Sequence, residues 1–173
     1  MSANFLALNP SKIECIVFGV PQQLAKLQNH DLILPSGDVI KTASAVRNLG
    51  SYFNKHMTMH DQITKVSQAC FYHISDLRRI RPYLDSKTAA IIDTELVQSQ
   101  LDNCNALYLN LPVNELERCQ KVQNALARAV LRISKFTQVT PALKSLHWLR
   151  VRERIKYKVN LQVYHYYYFQ SCS

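Results

Sequence analysis

The chain has 173 residues, of which 47% are hydrophobic and 19% charged, with a formal net charge of +9. That is enough apolar material for one domain or one and a half, and it excludes compositional disorder. Three glycines disfavour a glycine-punctuated all-β fold, and no run nears the ~18 apolar residues that a membrane span needs.

The first third reads as strands and turns. Glu14-Cys15-Ile16-Val17-Phe18 is a short apolar run closed by Gly19 and is predicted as a strand. Gln22 to Gln28 is open to a helical turn or a loop. Asp31 to Leu34, the turn Pro35-Ser36-Gly37-Asp38 and Val39-Ile40-Lys41 predict a hairpin. Val46 to Gly50 is a further candidate strand. From Met59 the period changes to three- and four-residue steps. Ile63, Val66, Cys70, Ile74 and Leu77 predict an amphipathic helix that Pro82 ends. Asp85 is placed to cap the next helix, and Ser86 is also suited to it; the helix's buried side is Ala89, Ile92, Leu96 and Val97. After Leu111-Pro112, Asn114 is a candidate cap for a third helix, with Leu116, Cys119, Val122, Leu126, Val130 and Ile133 inward. Thr140-Pro141 opens a short segment through Trp148. A last helix runs from Val151, Ile155 and Val159 toward Tyr164. The expected class is α+β, mostly α: a small N-terminal antiparallel β segment before a helical bundle.

The charge is uneven. Residues 111–173 carry eleven cations against Glu115, Glu117 and Glu153, which is +8 of the total +9. A polyanion is the natural partner for such an excess, and a solvated basic face is the plainer alternative. Projected at 100° per residue, Arg118, Lys121, Arg128, Arg132 and Lys135 fall on one side of the third helix, so they are the candidate phosphate-backbone contacts. Arg150, Arg152, Arg154, Lys156 and Lys158 spread around a helix and read as diffuse electrostatics. Trp148, beside His147, is suited either to stack on a base or to sit in the core.

Five scattered cysteines, Cys15, Cys70, Cys104, Cys119 and Cys172, suggest reduced thiols in an intracellular protein, nuclear or cytoplasmic. MSANFLALNP lacks a basic region followed by an apolar one, so no secretory signal is expected. His56, His60, Cys70 and His73 match no zinc spacing, and no metal site is expected.

Several strings, in order, resemble reverse transcriptases of non-LTR (LINE-type, jockey-like) retrotransposons, which are transposable elements that encode an RNA-directed DNA polymerase. Leu8-Asn9-Pro10-Ser11-Lys12-Ile13-Glu14 resembles the motif that closes the family's palm, and Lys12 matches its lysine near the incoming nucleotide's phosphates. Val46, Arg47, Asn48, Leu49 and Gly50 resemble the primer grip. Ile80-Arg81-Pro82, Gln98 to Pro112, Leu116 to Arg132 and Thr140 to Leu149 resemble the thumb and the segment after it. The resemblance implies a palm-end remnant over 1–54, a thumb-like region over 55–138 and a basic aromatic extension over 139–173. The chain departs from the family at Ile13, Ser51, Gln100, Asn103 and Arg150, as a diverged copy would.

The family's catalytic aspartate pair, which binds magnesium, would precede residue 1. Asp31, Asp38, Asp61, Asp76, Asp85, Asp93 and Asp102 are isolated. The resemblance therefore implies a fragment without catalytic residues or a cofactor of its own, Mg2+ being expected only in the full-length enzyme. Its implied partners are RNA or an RNA–DNA hybrid, and the missing palm and fingers, with no membrane. The alternatives are a helical protein-interaction remnant or a gene fragment without function.

Overall fold

A computed structural model describes residues 9–26, 31–35 and 37–171 of the chain. The fold is α+β and mostly helical. The chain divides into two compact units, Met1–Asp61 and Gln62–Ser173. Residues 62–138 of the thumb-like region and the C-terminal extension thus fall within one unit, while residues 55–61 belong to the first.

The first unit holds a short helix α1 (Pro21–Leu24) and two antiparallel hairpins. Strands β1 (Leu32–Ile33) and β2 (Val39–Ile40) pair with Leu32 opposite Ile40. The Leu34 amide donates to the Asp38 carbonyl at 2.9 Å, closing the expected turn, of which Ser36 lies outside the described residues. Strands β3 (Ala45–Asn48) and β4 (Ser51–Asn54) pair with Asn48 opposite Ser51. Their two-residue connection, Leu49-Gly50, has φ of 47° and 86°. Positive φ at both positions is the geometry that matches the twist of a tight hairpin, and Gly50 supplies its half without strain. The strand expected over Glu14–Phe18 does not form. Only Cys15 makes a bridge, to Thr42, because that run has no neighbouring strand long enough to continue a ladder. Gln22–Leu24 falls in α1, while Leu27 and Gln28 lie outside the described residues.

The second unit is built on α2 (His60–Ile80), α5 (Val113–Leu131) and the helices between and after them. Ile63, Cys70, Ile74 and Leu77 of α2 are buried, as their spacing predicts, and so are Cys119, Val122, Leu126 and Val130 of α5. These rows bring one face of each long helix into a common core. Helix α3 (Ser86–Asp93) starts at Asp85, whose carboxylate accepts from the Thr88 amide at 2.6 Å. That bond is the main reason the Asp85 pKa lies below the usual carboxylate value. The cap expected at Asn114 does not form. The chain enters α5 through Pro112, whose carbonyl accepts from Glu115 and Leu116, and Pro fits this entry because it has no amide to satisfy. Helix α6 is Val139–Ser145, and α7 runs from Val151 to Ser171, well beyond Tyr164.

Between α3 and α4 (Ser99–Asp102) the helix passes through a π-turn at Thr94–Gln98. A π-turn widens the repeat to five residues. Asp93 and Gln98 therefore face each other, with the amide donating to the carboxyl at 3.2 Å. The same widening turns Leu96, expected inside, out to 43% exposure and leaves Val97 buried.

Cys15, Cys70, Cys104 and Cys119 are free thiols, and Cys172 lies outside the described residues. Burial pushes the Cys70 thiol up to about 12 and the Cys119 thiol up to about 11. Both are inert core groups.

Asp93 is 0% exposed, and its Oδ1 has no partner among the described residues. Burial pushes its carboxyl up to about 7, against weaker opposite pulls from Gln98 and Arg154. The unfolded chain releases this proton near 3.8, so between that value and about 7 only the folded state holds it. Stability from this group is therefore full in acid, falls as pH rises across that window, and levels off above it. Asp93→Asn is expected to raise the urea midpoint more at about pH 8 than at about pH 5, which equilibrium denaturation at the two values would measure.

Candidate nucleic-acid interface

In the first unit, Lys12 and the primer-grip-like residues Val46, Arg47 and Asn48 line one cleft of about 520 Å3, together with Glu14. Arg47 lies over the ring of its cross-strand partner Tyr52, 5.5 Å from the centroid. Leu49 and Gly50 form the hairpin tip instead of the strand, and Leu49 is 91% exposed. The cleft joins two cations and one carboxylate.

The five cations assigned to one helical face do not share one. Helix α5 ends at Leu131, and Arg132 turns left-handed with φ 55°. The amide of Ile133 donates to the Arg128 carbonyl at 3.1 Å, and that of Arg132 to the Ala129 carbonyl at 3.4 Å. This pair of bonds closes the helix by a Schellman motif, so the projection through Lys135 fails after Leu131. Arg118 is withdrawn from the set, since it pairs with Glu115 at 2.8 Å and donates to Thr64 at 2.8 Å. Lys121 is exposed and stands apart from the others.

Arg128, Arg132 and Lys135 are nevertheless brought together. They line a cleft of about 360 Å3 with Arg78 and Arg81, which the charge reading of α5 did not include. Pro82, Ala129 and Ile133 complete the lining, which holds no carboxylate; the nearby Asp85 carboxylate feels the Arg81 charge only weakly. The signal for the missing two was present in Arg78-Arg79-Ile80-Arg81-Pro82, a basic corner at the end of α2.

Arg81 is the part of the cleft that is built in. It is 6% exposed. Its Nε donates to the Val130 carbonyl at 2.8 Å, Nη1 to the Leu84 carbonyl at 2.8 Å and Nη2 to the Ser86 hydroxyl at 3.3 Å. It thereby satisfies the open carbonyl end of α5, where a cation is favoured. Among the described residues none of the five makes an ion pair. Arg128 donates to the Thr137 carbonyl at 3.4 Å, and its buried Nε has no partner among the described residues. Like charges held close with little counter-charge repel one another, and an anion in the cleft would relieve that.

The alternating cations after Arg150 lie on helix α7, as Val151 and Ile155 predicted. Two of them are not diffuse. Arg154 forks onto the Asp102 carboxylate and reaches Gln98, and Lys158 donates to the Asp102 carbonyl at 2.7 Å.

Among the described residues no group of three or more His, Cys, Asp or Glu could hold a metal ion. No helix among them is long and apolar enough to cross a membrane. No protein-family model, curated protein or solved structure matches the chain.

Two substitutions separate the roles within the cleft. Arg81→Met leaves the Val130 and Leu84 carbonyls unmet and is expected to lower stability by on the order of 2–3 kcal/mol, read from urea unfolding. Arg132→Gly removes the cost of a left-handed side-chain residue and is expected to raise stability by about 1 kcal/mol while removing one cation.

Proposed function

We propose that the chain is the palm-end and thumb portion of a non-LTR retrotransposon reverse transcriptase, and that its helical unit grips RNA or an RNA–DNA hybrid by the phosphate backbone. The observation that carries the grip is the carboxylate-free cleft of Arg78, Arg81, Arg128, Arg132 and Lys135. The family reading is supported by the order of the motifs, from Lys12 through Val46–Gly50 to Leu116–Arg132. A tight β3–β4 hairpin over the primer-grip string and a helical unit over the thumb strings agree with it.

Guanidinium forks suit phosphate because two N–H groups meet two oxygens. Contacts of this kind fix position on a duplex without reading sequence, which is what a polymerase clamp requires. Polymerisation belongs to the full-length enzyme, whose metal-binding aspartates this chain would not supply. Lys12 would serve there by holding a proton or a positive charge near the leaving phosphate.

A second reading, a helical interaction protein, is favoured by one observation. Tyr164, Tyr166, Tyr167, Tyr168 and Phe169 of α7 are each more than half exposed. Size-exclusion chromatography showing a monomer across a wide concentration range would count against it.

Filter binding of an RNA–DNA primer–template at rising salt tests the grip. With the four cations other than the buried Arg81 neutralising phosphates, log affinity is expected to fall against log salt with a slope of about −3 to −4, and Arg128→Gln is expected to flatten it by about 1. Absence of binding at low salt would falsify the proposal.

A further inference from the structure

Trp148 does not enter the core. The turn after α6 carries it to the wall of a second cavity within the helical unit, away from the basic cleft. The His147 amide donates to the Lys144 carbonyl at 3.0 Å and the Trp148 amide to the Leu143 carbonyl at 2.8 Å, with His147 left-handed at φ 56°. This closure fixes the backbone beside the indole.

The cavity is about 340 Å3, the size range of small-ligand pockets. The apolar part of its lining is Trp148, Leu149, Tyr157 and Leu161, of which Tyr157 is 62% exposed. The rest of the lining is polar and hydrogen-bonded. Asp102 Oδ1 accepts from Arg154 and from the Asn105 amide at 2.9 Å, and Oδ2 accepts from Arg154 alone, so Oδ2 retains acceptor capacity. Lys158 uses one of its three hydrogens on the Asp102 carbonyl and keeps two. Asn105 is 3% exposed, lines the same cavity, and its Oδ1 has no partner among the described residues.

We propose that this cavity takes one unpaired nucleobase of a single-stranded RNA or DNA segment. A base has two apolar faces and an edge on which donors and acceptors alternate, and few small ligands combine both. Trp148 and Tyr157 suit the faces. The free acceptor on Asp102 and the remaining ammonium hydrogens of Lys158 suit an amine beside a ring acceptor, as on cytosine or adenine. The inference deepens the nucleic-acid reading above and rests on it for its biological ligand, but it concerns a base and not a phosphate.

Trp148 is the single tryptophan of the chain, so tryptophan emission excited at the red edge, where the nine tyrosines do not absorb, reports on this cavity. The intact chain is titrated with cytidine and adenosine, which carry no phosphate, with ribose and inorganic phosphate as separate arms. Saturable quenching by the nucleosides, undiminished at high salt and absent with ribose and phosphate, is the expected result. Tyr157→Ala, at an exposed position, is expected to weaken nucleoside affinity about fivefold or more, the low end of a base–aromatic stack. Lys158→Gln is expected to weaken it with the helical signal in circular dichroism unchanged. No quenching up to the solubility limit, or quenching untouched by both variants, overturns the proposal. Quenching by phosphate alone overturns it too and assigns the cavity to an anion. Primer–template binding persisting without nucleoside quenching sinks this cavity and spares the basic cleft; the reverse result sinks the cleft reading alone.

Discussion

The guanidinium of Arg81 joins the carbonyl end of α5 to the corner between α2 and α3, and the basic cleft exists because of that joint. A buried cation without a carboxylate partner loses its hydration, a cost of several kcal/mol. Here the loss is offset by three hydrogen bonds and by the partial negative charge at a helix C-terminus. A carboxylate in the same place would satisfy the charge but cancel the field. Backbone carbonyls hold the arginine and leave the cleft positive.

Helix α5 organises the unit through polar contacts as much as through its apolar row. Gln123 is 1% exposed and donates to the Leu149 carbonyl at 2.8 Å, while Gln120 accepts from the Val151 amide at 3.0 Å. Gln120 also donates to Gln123 and Asn124, so the amides orient one another. These bonds satisfy the backbone where the chain turns into α7, at a partly buried corner of the helical unit. They set where Trp148 and Tyr157 stand relative to Asp102. One helix thus positions two features, the basic cleft by its last turn and the aromatic cavity by its middle.

Both features lie beside residues in the left-handed region that are not glycine: Arg132 at the cleft, His147 and Cys104 flanking the cavity wall. Each costs on the order of 1 kcal/mol, and a glycine would remove the cost. Retaining side chains there places a cation at the cleft and an imidazole at the cavity, which is where local strain is expected when a site needs the side chain.

Local rules read directly from the residues account for much of the fold. The three- and four-residue spacing of Ile63, Cys70, Ile74 and Leu77, and of Cys119, Val122, Leu126 and Val130, determined two helices and their inward faces. Asp85 determined a helix start, and Pro35 to Asp38 determined the first hairpin turn, because each acts through bonds only a few residues away; the β3–β4 turn at Leu49-Gly50 falls where the residues alone suggested a continuing strand. The concentration of charge in the last third was also legible. What tertiary structure decided is which cations meet. Arg118 and Arg128 belong to the same helix, yet one is spent on Glu115 and the other opens into a cleft with Arg78 and Arg81, about fifty residues earlier in the chain. The π-turn that exposes Leu96 and the turn that presents Trp148 were equally hidden. Periodicity describes one helix against an unspecified core, whereas a site arises where side chains from separate helices converge, and that is set by how those helices cross and end.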